Sequence, residues 1–165
     1  MNTTTKKAAN SIVGKLTALI LAGAAAVLLT GAPATAQNGG GTVLVIGDSL
    51  QVGTGPYLER ELGATSVEAD DRQSRGSADG LATLRARLGP EHTVVVFDMG
   101  TNDDPGNPDA LYANLQAARA AIGDRCLVVA TILRPPYNGI TVDGMNAAIE
   151  RFARGTPDVQ LVDWY

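Results

Sequence analysis

The chain has 165 residues, among them one cysteine, one histidine, 13 basic residues and 17 acidic residues. Its lysines, Lys6, Lys7 and Lys15, all precede the first acid, so the part from Gln37 onward carries ten arginines, 17 acids and a formal charge of −7. This negative charge argues against nucleic acid as a partner. The same part is long enough to form one domain with its own core.

The first 36 residues have the pattern of a secretory signal peptide. The lysines come first, an apolar stretch runs from Leu16 to Leu29, and small residues follow at Ala34 and Ala36. A membrane anchor would need about 20 apolar residues and would not explain the small residues at the end of the segment. Cleavage after Ala36 would therefore release a soluble protein. We therefore expect a secreted, extracytoplasmic protein without a stable membrane anchor.

The remainder is predicted to contain a flexible lead-in at 37–41 and one domain at 42–165. Short apolar runs that do not alternate with polar residues indicate parallel strands buried on both faces. Segments with helical spacing separate these runs, which is typical of a doubly wound, three-layer α/β/α sandwich. We expect a five-stranded parallel sheet of flavodoxin-like order 2-1-3-4-5. The five runs are Thr42–Ile46, Ser66–Ala69, Thr93–Phe97, Cys126–Ile132 and Val159–Val162.

Several residues mark predicted helix boundaries. Asn107 followed by Pro108 suits an N-cap and a first helical position, and Thr141 is a candidate cap for the last helix. Gly63 and Gly123 lie where helices should end. A doubly wound sheet would be expected to have a closing helix after the fifth strand. The sequence has none up to Tyr165, so one face of the sheet should keep exposed apolar surface, which favours aggregation or docking.

Two tetrapeptides carry the candidate chemistry. Gly47-Asp48-Ser49-Leu50 follows the first apolar run, and Gly100-Thr101-Asn102-Asp103 follows the third. In a sheet of this order, the crevice at the carboxyl ends of the strands lies between the first and third strands. Ser49, a possible nucleophile, and Asn102, a neutral hydrogen-bond donor, are therefore predicted to face one crevice.

These two tetrapeptides resemble the first and third blocks of the SGNH, or GDSL, hydrolase superfamily. The second block of that family contributes a glycine after the second strand, and Gly76 matches it here. The resemblance covers about 42–165 and implies a serine esterase with Ser49 as the nucleophile. It also implies an oxyanion hole made by the backbone N–H groups of Ser49 and Gly76 and the side chain of Asn102.

The implied chemistry agrees with elementary physical arguments. Acyl transfer places negative charge on the carbonyl oxygen, and each preorganised donor that stabilises it is worth about 10²–10³ in rate. The expected substrates are small esters or acylated carbohydrates that carry O-acetyl or short acyl groups. No spacing of histidine and cysteine suits a metal, and we expect no metal and no other cofactor.

A general base for Ser49 is missing from the sequence. The family's last block, Asp-x-x-His, has no match, and Asp163 near the end of the chain does not map onto its acid. The lone His92 precedes the third strand and should lie about 20 Å from Ser49, well beyond the reach of a hydrogen bond. The resemblance therefore predicts a truncated hydrolase with weak or no activity; the alternative is a catalytically silent binding or partner-dependent domain.

The other polar residues near the motifs are expected to have structural roles. Asp48 and Asp103 should cap or hydrogen-bond the two turns, and Arg72 and Arg75 should pair with neighbouring acids. Cys126 is expected to be a buried thiol, with an intermolecular disulfide as the alternative. The loop at 133–140 follows the fourth strand and could shape the acyl pocket or serve only as a rigid connection.

Overall fold

The computed structural model describes residues 41–63 and 65–164. The predicted signal peptide and the lead-in up to residue 40 lie outside these residues. No helix in the two described ranges is both long and apolar enough to cross a membrane. In chain order the elements are β1 (Thr42–Gly47), α1 (Ser49–Leu62), β2 (Ser66–Asp71), α2 (Ser77–Arg87), β3 (His92–Asp98), α3 (Pro108–Ile122), β4 (Cys126–Ala130), α4 (Asp143–Gly155) and β5 (Val159–Val162).

The five strands form one parallel sheet in the order β2-β1-β3-β4-β5. This confirms the predicted class and strand order. Gly47 at the end of β1 pairs with Asp71 at the end of β2 and with Asp98 at the end of β3. The carboxyl ends of three neighbouring strands therefore lie level, and the loops that follow them emerge side by side.

The main core lies on one face of the sheet, beneath α2, α3 and α4. Leu44 and Ile46 of β1 are fully buried there, and Tyr112 of α3 meets Phe152 of α4 edge to face at 6.3 Å between ring centroids. Each large apolar side chain buried in this way contributes about 1.5–3 kcal/mol. Apolar residues of the three helices also belong to this core, and Leu88 packs against it. The core residues are Leu81 and Leu84 of α2, Leu111, Leu115 and Ala118 of α3, and Met145, Ile149 and Phe152 of α4.

The opposite face of the sheet is covered less completely. Helix α1 lies over it, and a Cβ atom on Gly47 would fall 2.2 Å from the Cβ of Gln51. An apolar groove of about 350 Å³ opens between α1 and the strands, bordered by Tyr57, Val96, Val128 and Trp164 among others. The expectation of exposed apolar surface is thus confirmed on this face, where Tyr57 and Trp164 are 59% and 57% exposed.

Several predicted boundaries differ from the structure. Strands β1, β2 and β3 end one or two residues later than predicted, at Gly47, Asp71 and Asp98. Strand β4 ends at Ala130 rather than Ile132, because the side chain of Asn146 takes over the backbone hydrogen bonds of Ile132. Its Oδ1 accepts from the Ile132 N–H at 2.7 Å, and its Nδ2 donates to the Ile132 carbonyl at 3.0 Å. The sheet ladder is replaced there by a side chain from α4.

The predicted cap at Thr141 is also wrong. Val142 is the N-cap of α4, and the Thr141 hydroxyl donates instead to the Asp143 carboxylate at 2.8 Å. Asn107 is the N-cap of α3 with Pro108 in the first turn, although its side chain makes no capping hydrogen bond. Gly63 and Gly123 end α1 and α3 with positive φ angles of 61° and 67°, as predicted.

Candidate active site

Ser49 is the first residue of α1 and is exposed to solvent. The preceding residue, Asp48, is 1% exposed and caps the helix, because its Oδ1 accepts from the Leu50 N–H at 2.9 Å. The structural role predicted for Asp48 is confirmed. The N-terminus of a helix favours negative charge and offers free N–H groups. Ser49 therefore occupies a position where an oxyanion would be stabilised electrostatically.

Arg75 connects this turn to the loop after β2. Its guanidinium is almost completely buried and donates through Nη1 to the Gly47 carbonyl at 3.2 Å and to the Asp70 carbonyl. Its Nη2 forms an ion pair with the Asp70 carboxylate at 2.6 Å. The Arg72 N–H also donates to the Gly47 carbonyl at 3.2 Å. The first two motif loops are thus joined through buried polar contacts.

The loop after β3 is tied to the same segment. Nδ2 of Asn102 donates to the Arg75 carbonyl at 3.1 Å, and Oδ1 of Asp103 accepts from the Ser77 N–H at 2.7 Å. An amide nitrogen has two hydrogens, so Asn102 can still donate to a ligand. The contact to Ser77 confirms the loop-holding role expected of Asp103.

Gly76 is the N-cap of α2. It lies between Arg75 and Ser77, the two residues to which the loop after β3 is hydrogen-bonded. A Cβ atom on Gly76 would lie 3.0 Å from Oδ1 of Asp103, so any larger residue would push against the carboxylate that holds Ser77. Gly100 has a φ of 121°, and a Cβ there would lie 3.0 Å from side-chain carbons of both Leu111 and Ile132. Close packing therefore disfavours a larger residue at either position, and the positive φ of Gly100 adds to this.

Two cavities open at this edge of the sheet. The larger, about 710 Å³, is bordered by Asn102 together with residues of the loop after β4. The smaller, about 370 Å³, is bordered by Asn102 and Gly76. Ser49 is not a wall residue of either cavity. The structure therefore brings Gly76 and Asn102 together directly, and it joins Ser49 to them through Gly47 and Arg75.

A group of carboxyl side chains lies at the same edge and was not predicted from the sequence. Burial, reinforced by the negative charges of Asp48 and Asp71, raises the pKa of Asp98 to about 6. Burial also raises the pKa of Asp48 and the pKa of Asp71. Nε2 of Gln51 and Oδ1 of Asp71 are buried without a hydrogen-bond partner among the described residues. The sequence signal for this group is that Asp48, Asp71 and Asp98 each stand one or two residues after an apolar run.

His92 lies at the other end of the sheet, as the first residue of β3. It is 1% exposed, and its position at the start of the strand, opposite to the candidate site, agrees with the predicted separation from Ser49. Its Nδ1 accepts from the Gly89 N–H at 2.8 Å, and its Nε2 faces Glu68 at 3.3 Å. Ligand atoms of Glu68, Glu91 and His92 lie within 4.8 Å of one another, but both ring nitrogens already have protein partners.

The remaining polar expectations concern paired charges and the cysteine. Arg72 pairs with Asp79 at 3.3 Å, and together with the Arg75–Asp70 pair this confirms the structural roles predicted for the two arginines. Cys126 is a free thiol that is only partly buried. Asp163 accepts from the Thr131 hydroxyl at 3.0 Å.

The sheet order and helix arrangement define an α/β fold of the type found in GDSL-like lipases and esterases. No protein-family profile matches the chain. No curated protein matches it either. Solved structures do match: an esterase, EstA, from Pseudoalteromonas sp. is 19% identical with a TM-score of 0.58, and the match covers 74% of this chain and 76% of that one.

Two further solved structures have the same arrangement. A GDSL-like lipase from Bacteroides thetaiotaomicron is 20% identical with a TM-score of 0.58, covering 75% of this chain and 68% of that one. A carbohydrate esterase of family 3 from Talaromyces cellulolyticus is 18% identical with a TM-score of 0.52, covering 74% and 78%. At these identities the likeness shows the fold, and the chemistry must be argued from the residues of this chain.

Proposed function

We propose that this chain is a secreted serine ester hydrolase of the SGNH type, acting on O-acetyl or short acyl esters of small molecules or carbohydrates. The observation that carries the proposal is the hydrogen-bonded connection of three loops through Arg75. Its side chain contacts Gly47 next to the Asp48-Ser49 turn, and its carbonyl accepts from Asn102. Such a connection would hold a nucleophile and its electrostatic support in one geometry.

In the proposed reaction, Oγ of Ser49 attacks the carbonyl carbon of the ester and its proton passes to a base. The carbonyl oxygen becomes negatively charged and accepts hydrogen bonds from the N–H groups of Ser49 and Gly76 and from Nδ2 of Asn102. The C–O bond to the alcohol then breaks, the alcohol leaves with a proton, and the acyl group remains on Ser49. Water hydrolyses this acyl-enzyme in a second, equivalent step.

The rate expected from this chain is limited because no histidine lies near Ser49 to accept its proton. Within residues 41–63 and 65–164 the one histidine, His92, is buried at the opposite end of the sheet. Members of a catalytic triad act as a unit, and loss of one leaves mainly the oxyanion and binding contributions. We therefore expect weak serine-dependent turnover from this chain alone, and an increase in turnover when free imidazole supplies the base.

Covalent labelling of Ser49 tests the proposal directly. A fluorophosphonate should phosphonylate Oγ of Ser49 with release of fluoride, and peptide mass spectrometry should locate the adduct. Ser49→Ala should abolish labelling, whereas Ser66→Ala, at the exposed start of β2, should label at the rate of the unchanged protein. Addition of imidazole should accelerate labelling in the unchanged protein and not in Ser49→Ala.

The absence of a Ser49 adduct, with and without imidazole, would overturn the assignment and favour the catalytically silent domain. Adducts of equal yield in the unchanged protein and in Ser49→Ala would do the same.

Secretion has a separate test. The chain should be exported from a bacterial host and its recovered form should begin at Gln37. A product that stays in the cells with residues 1–36 attached would contradict export.

A further inference from the structure

The larger cavity contains a cation without an anionic partner. Arg134 follows β4 and is half-buried in the cavity wall. Among residues 41–63 and 65–164, no carboxylate lies within 4.0 Å of its guanidinium. Of the other nine arginines, Arg85 is exposed to solvent and Arg125 donates to three backbone carbonyls. Each of the remaining seven has a carboxylate partner: Arg60, Arg72, Arg75, Arg87, Arg119, Arg151 and Arg154.

The internal contacts of Arg134 leave most of its hydrogen-bonding capacity unused. Nη1 donates to the carbonyl of the next residue, Pro135, at 3.0 Å, and Nε is buried without a partner in the part of the chain that the structure describes. A guanidinium has five N–H donors in a planar fork that matches a carboxylate. Because partly buried charges are usually paired, this arrangement points to an anion supplied by a ligand.

Tyr137 gives the same wall a flat aromatic surface. Its ring is 60% exposed and lies 5.9 Å from the Arg134 guanidinium carbon. A tight turn fixes it: Tyr137 and Ile140 exchange two backbone hydrogen bonds of 3.0 and 2.9 Å, and Asn138 and Gly139 between them have positive φ angles of 49° and 76°. These are the features of a type I′ turn. The turn therefore fixes the backbone that carries the Tyr137 ring.

The facing wall is polar and begins at the candidate oxyanion donor. Asn102, Thr101 and Asp104 border the cavity there, and Asp104 uses Oδ1 to accept from the Gly106 N–H at 2.9 Å. Amide, hydroxyl and carboxylate groups of this kind bind the hydroxyl groups of a polyhydroxylated ligand. An aromatic face beside them suits the less polar face of a sugar ring.

We propose that the larger cavity binds an acidic sugar, with the sugar carboxylate on Arg134, the ring against Tyr137 and the acylated hydroxyl towards Asn102. This inference rests on the proposed function for the identity of the reacting group, and it adds the substrate class: O-acyl esters of a carboxylate-bearing sugar. Arg134 is then the specificity-determining residue of the site.

Equilibrium binding to the intact chain tests this without requiring turnover. Methyl glucuronide carries a carboxylate and methyl glucoside is its uncharged counterpart, and ligand-detected NMR titration gives both Kd values. We expect the glucuronide to bind about tenfold more tightly, as for one charge-assisted fork contact. Arg134→Gln should remove this preference, and Arg134→Lys should retain part of it because lysine keeps the charge and loses the fork.

Arg85→Gln is the matched control, because it removes the same charge from an exposed position on α2 away from the cavity. It should leave the preference intact. Equal Kd values for the two sugars, or an equal effect of Arg85→Gln and Arg134→Gln, would overturn the acidic-sugar site. An Arg134-dependent preference in a protein whose Ser49 cannot be labelled would uphold the binding site and refute the ester chemistry. Labelling of Ser49 in a protein that binds the two sugars equally would uphold the ester chemistry and refute the acidic sugar as the substrate class.

Discussion

The carbonyl oxygen of Arg75 accepts a hydrogen bond of 3.1 Å from Nδ2 of Asn102, while the side chain of the same arginine donates to the carbonyl of Gly47. Arg75 thus contacts both the turn after β1, at Gly47, and the loop after β3, at Asn102. The geometry of the candidate site depends on this buried side chain as much as on the residues that would touch a substrate.

Replacement of Arg75 should therefore destabilise the fold as well as the site. Arg75→Met removes the 2.6 Å ion-pair partner of the Asp70 carboxylate and one of the two donors to the Gly47 carbonyl, and we expect the free energy of unfolding to fall by about 3 kcal/mol. Urea denaturation measures this change. The control is Arg72→Met, which breaks the exposed pair with Asp79 and should cost less than about 1 kcal/mol. Equal losses in both variants would contradict the role given to Arg75.

Asp98 should give the protein a characteristic pH dependence. Its pKa is about 6 in the folded state and about 3.9 in an unfolded chain. The folded state therefore binds the proton more tightly, and stability from this group is present at low pH and lost as the pH rises through 6. Asp98→Asn should raise the free energy of unfolding near neutral pH by up to about 3 kcal/mol and change it little near pH 4.

Denaturation at a series of pH values checks the Asp98 prediction. Asp124→Asn, at an exposed turn between α3 and β4, serves as the control and should shift the whole curve little. A curve for Asp98→Asn that runs parallel to that of the unchanged protein would refute the buried-carboxyl interpretation.

Asn102→Ala should affect reactivity more than stability. The variant loses one candidate oxyanion donor, and loss of such a donor costs about 10²–10³ in rate. It also loses the contact to Arg75, worth about 1 kcal/mol of stability. The second-order rate of fluorophosphonate labelling at Ser49 measures the first effect. Asn107→Ala, whose side chain makes no capping hydrogen bond, should label at nearly the original rate.

Gly76→Ala tests the close approach of the β2 and β3 loops. The added methyl group would lie 3.0 Å from Oδ1 of Asp103, so the hydrogen bond to Ser77 should lengthen and the N–H of Gly76 should move. We expect at least about a tenfold loss in the labelling rate of Ser49, a fraction of the value of a whole donor. Gly53→Ala is the control, since a Cβ there meets no atom within 4 Å. Unchanged labelling in Gly76→Ala would remove Gly76 from the proposed oxyanion hole.

The sequence predicted the parts of the fold that depend on local pattern. Apolar runs and glycine stops located the strands and the ends of α1 and α3, and parallel winding then placed Ser49 and Asn102 at one edge. Contacts between segments that are far apart in the sequence could not be predicted. The side chain of Asn146 in α4 ends β4 by binding the backbone of Ile132, fourteen residues earlier in the chain. No periodicity in the sequence predicts this contact.

The electrostatics of the site could not be predicted for a similar reason. The pKa of Asp98 depends on its burial and on the charges of Asp48, which follows β1, and Asp71, which ends β2. Arg75 and Arg134 look alike in the sequence, as arginines in loops that follow strands. Only the structure shows that Arg75 is buried and paired with Asp70, whereas Arg134 lines a cavity and has no carboxylate partner among the described residues.

Trp164, the only tryptophan of the chain, stands at the rim of the apolar groove between α1 and the sheet. The protein therefore carries a built-in fluorophore on its least covered face. Its emission should be that of an indole in water and should be quenched readily by acrylamide. Any molecule that settles on this face would shift the emission to the blue and protect it from quenching, so occupancy of the groove can be followed without a label.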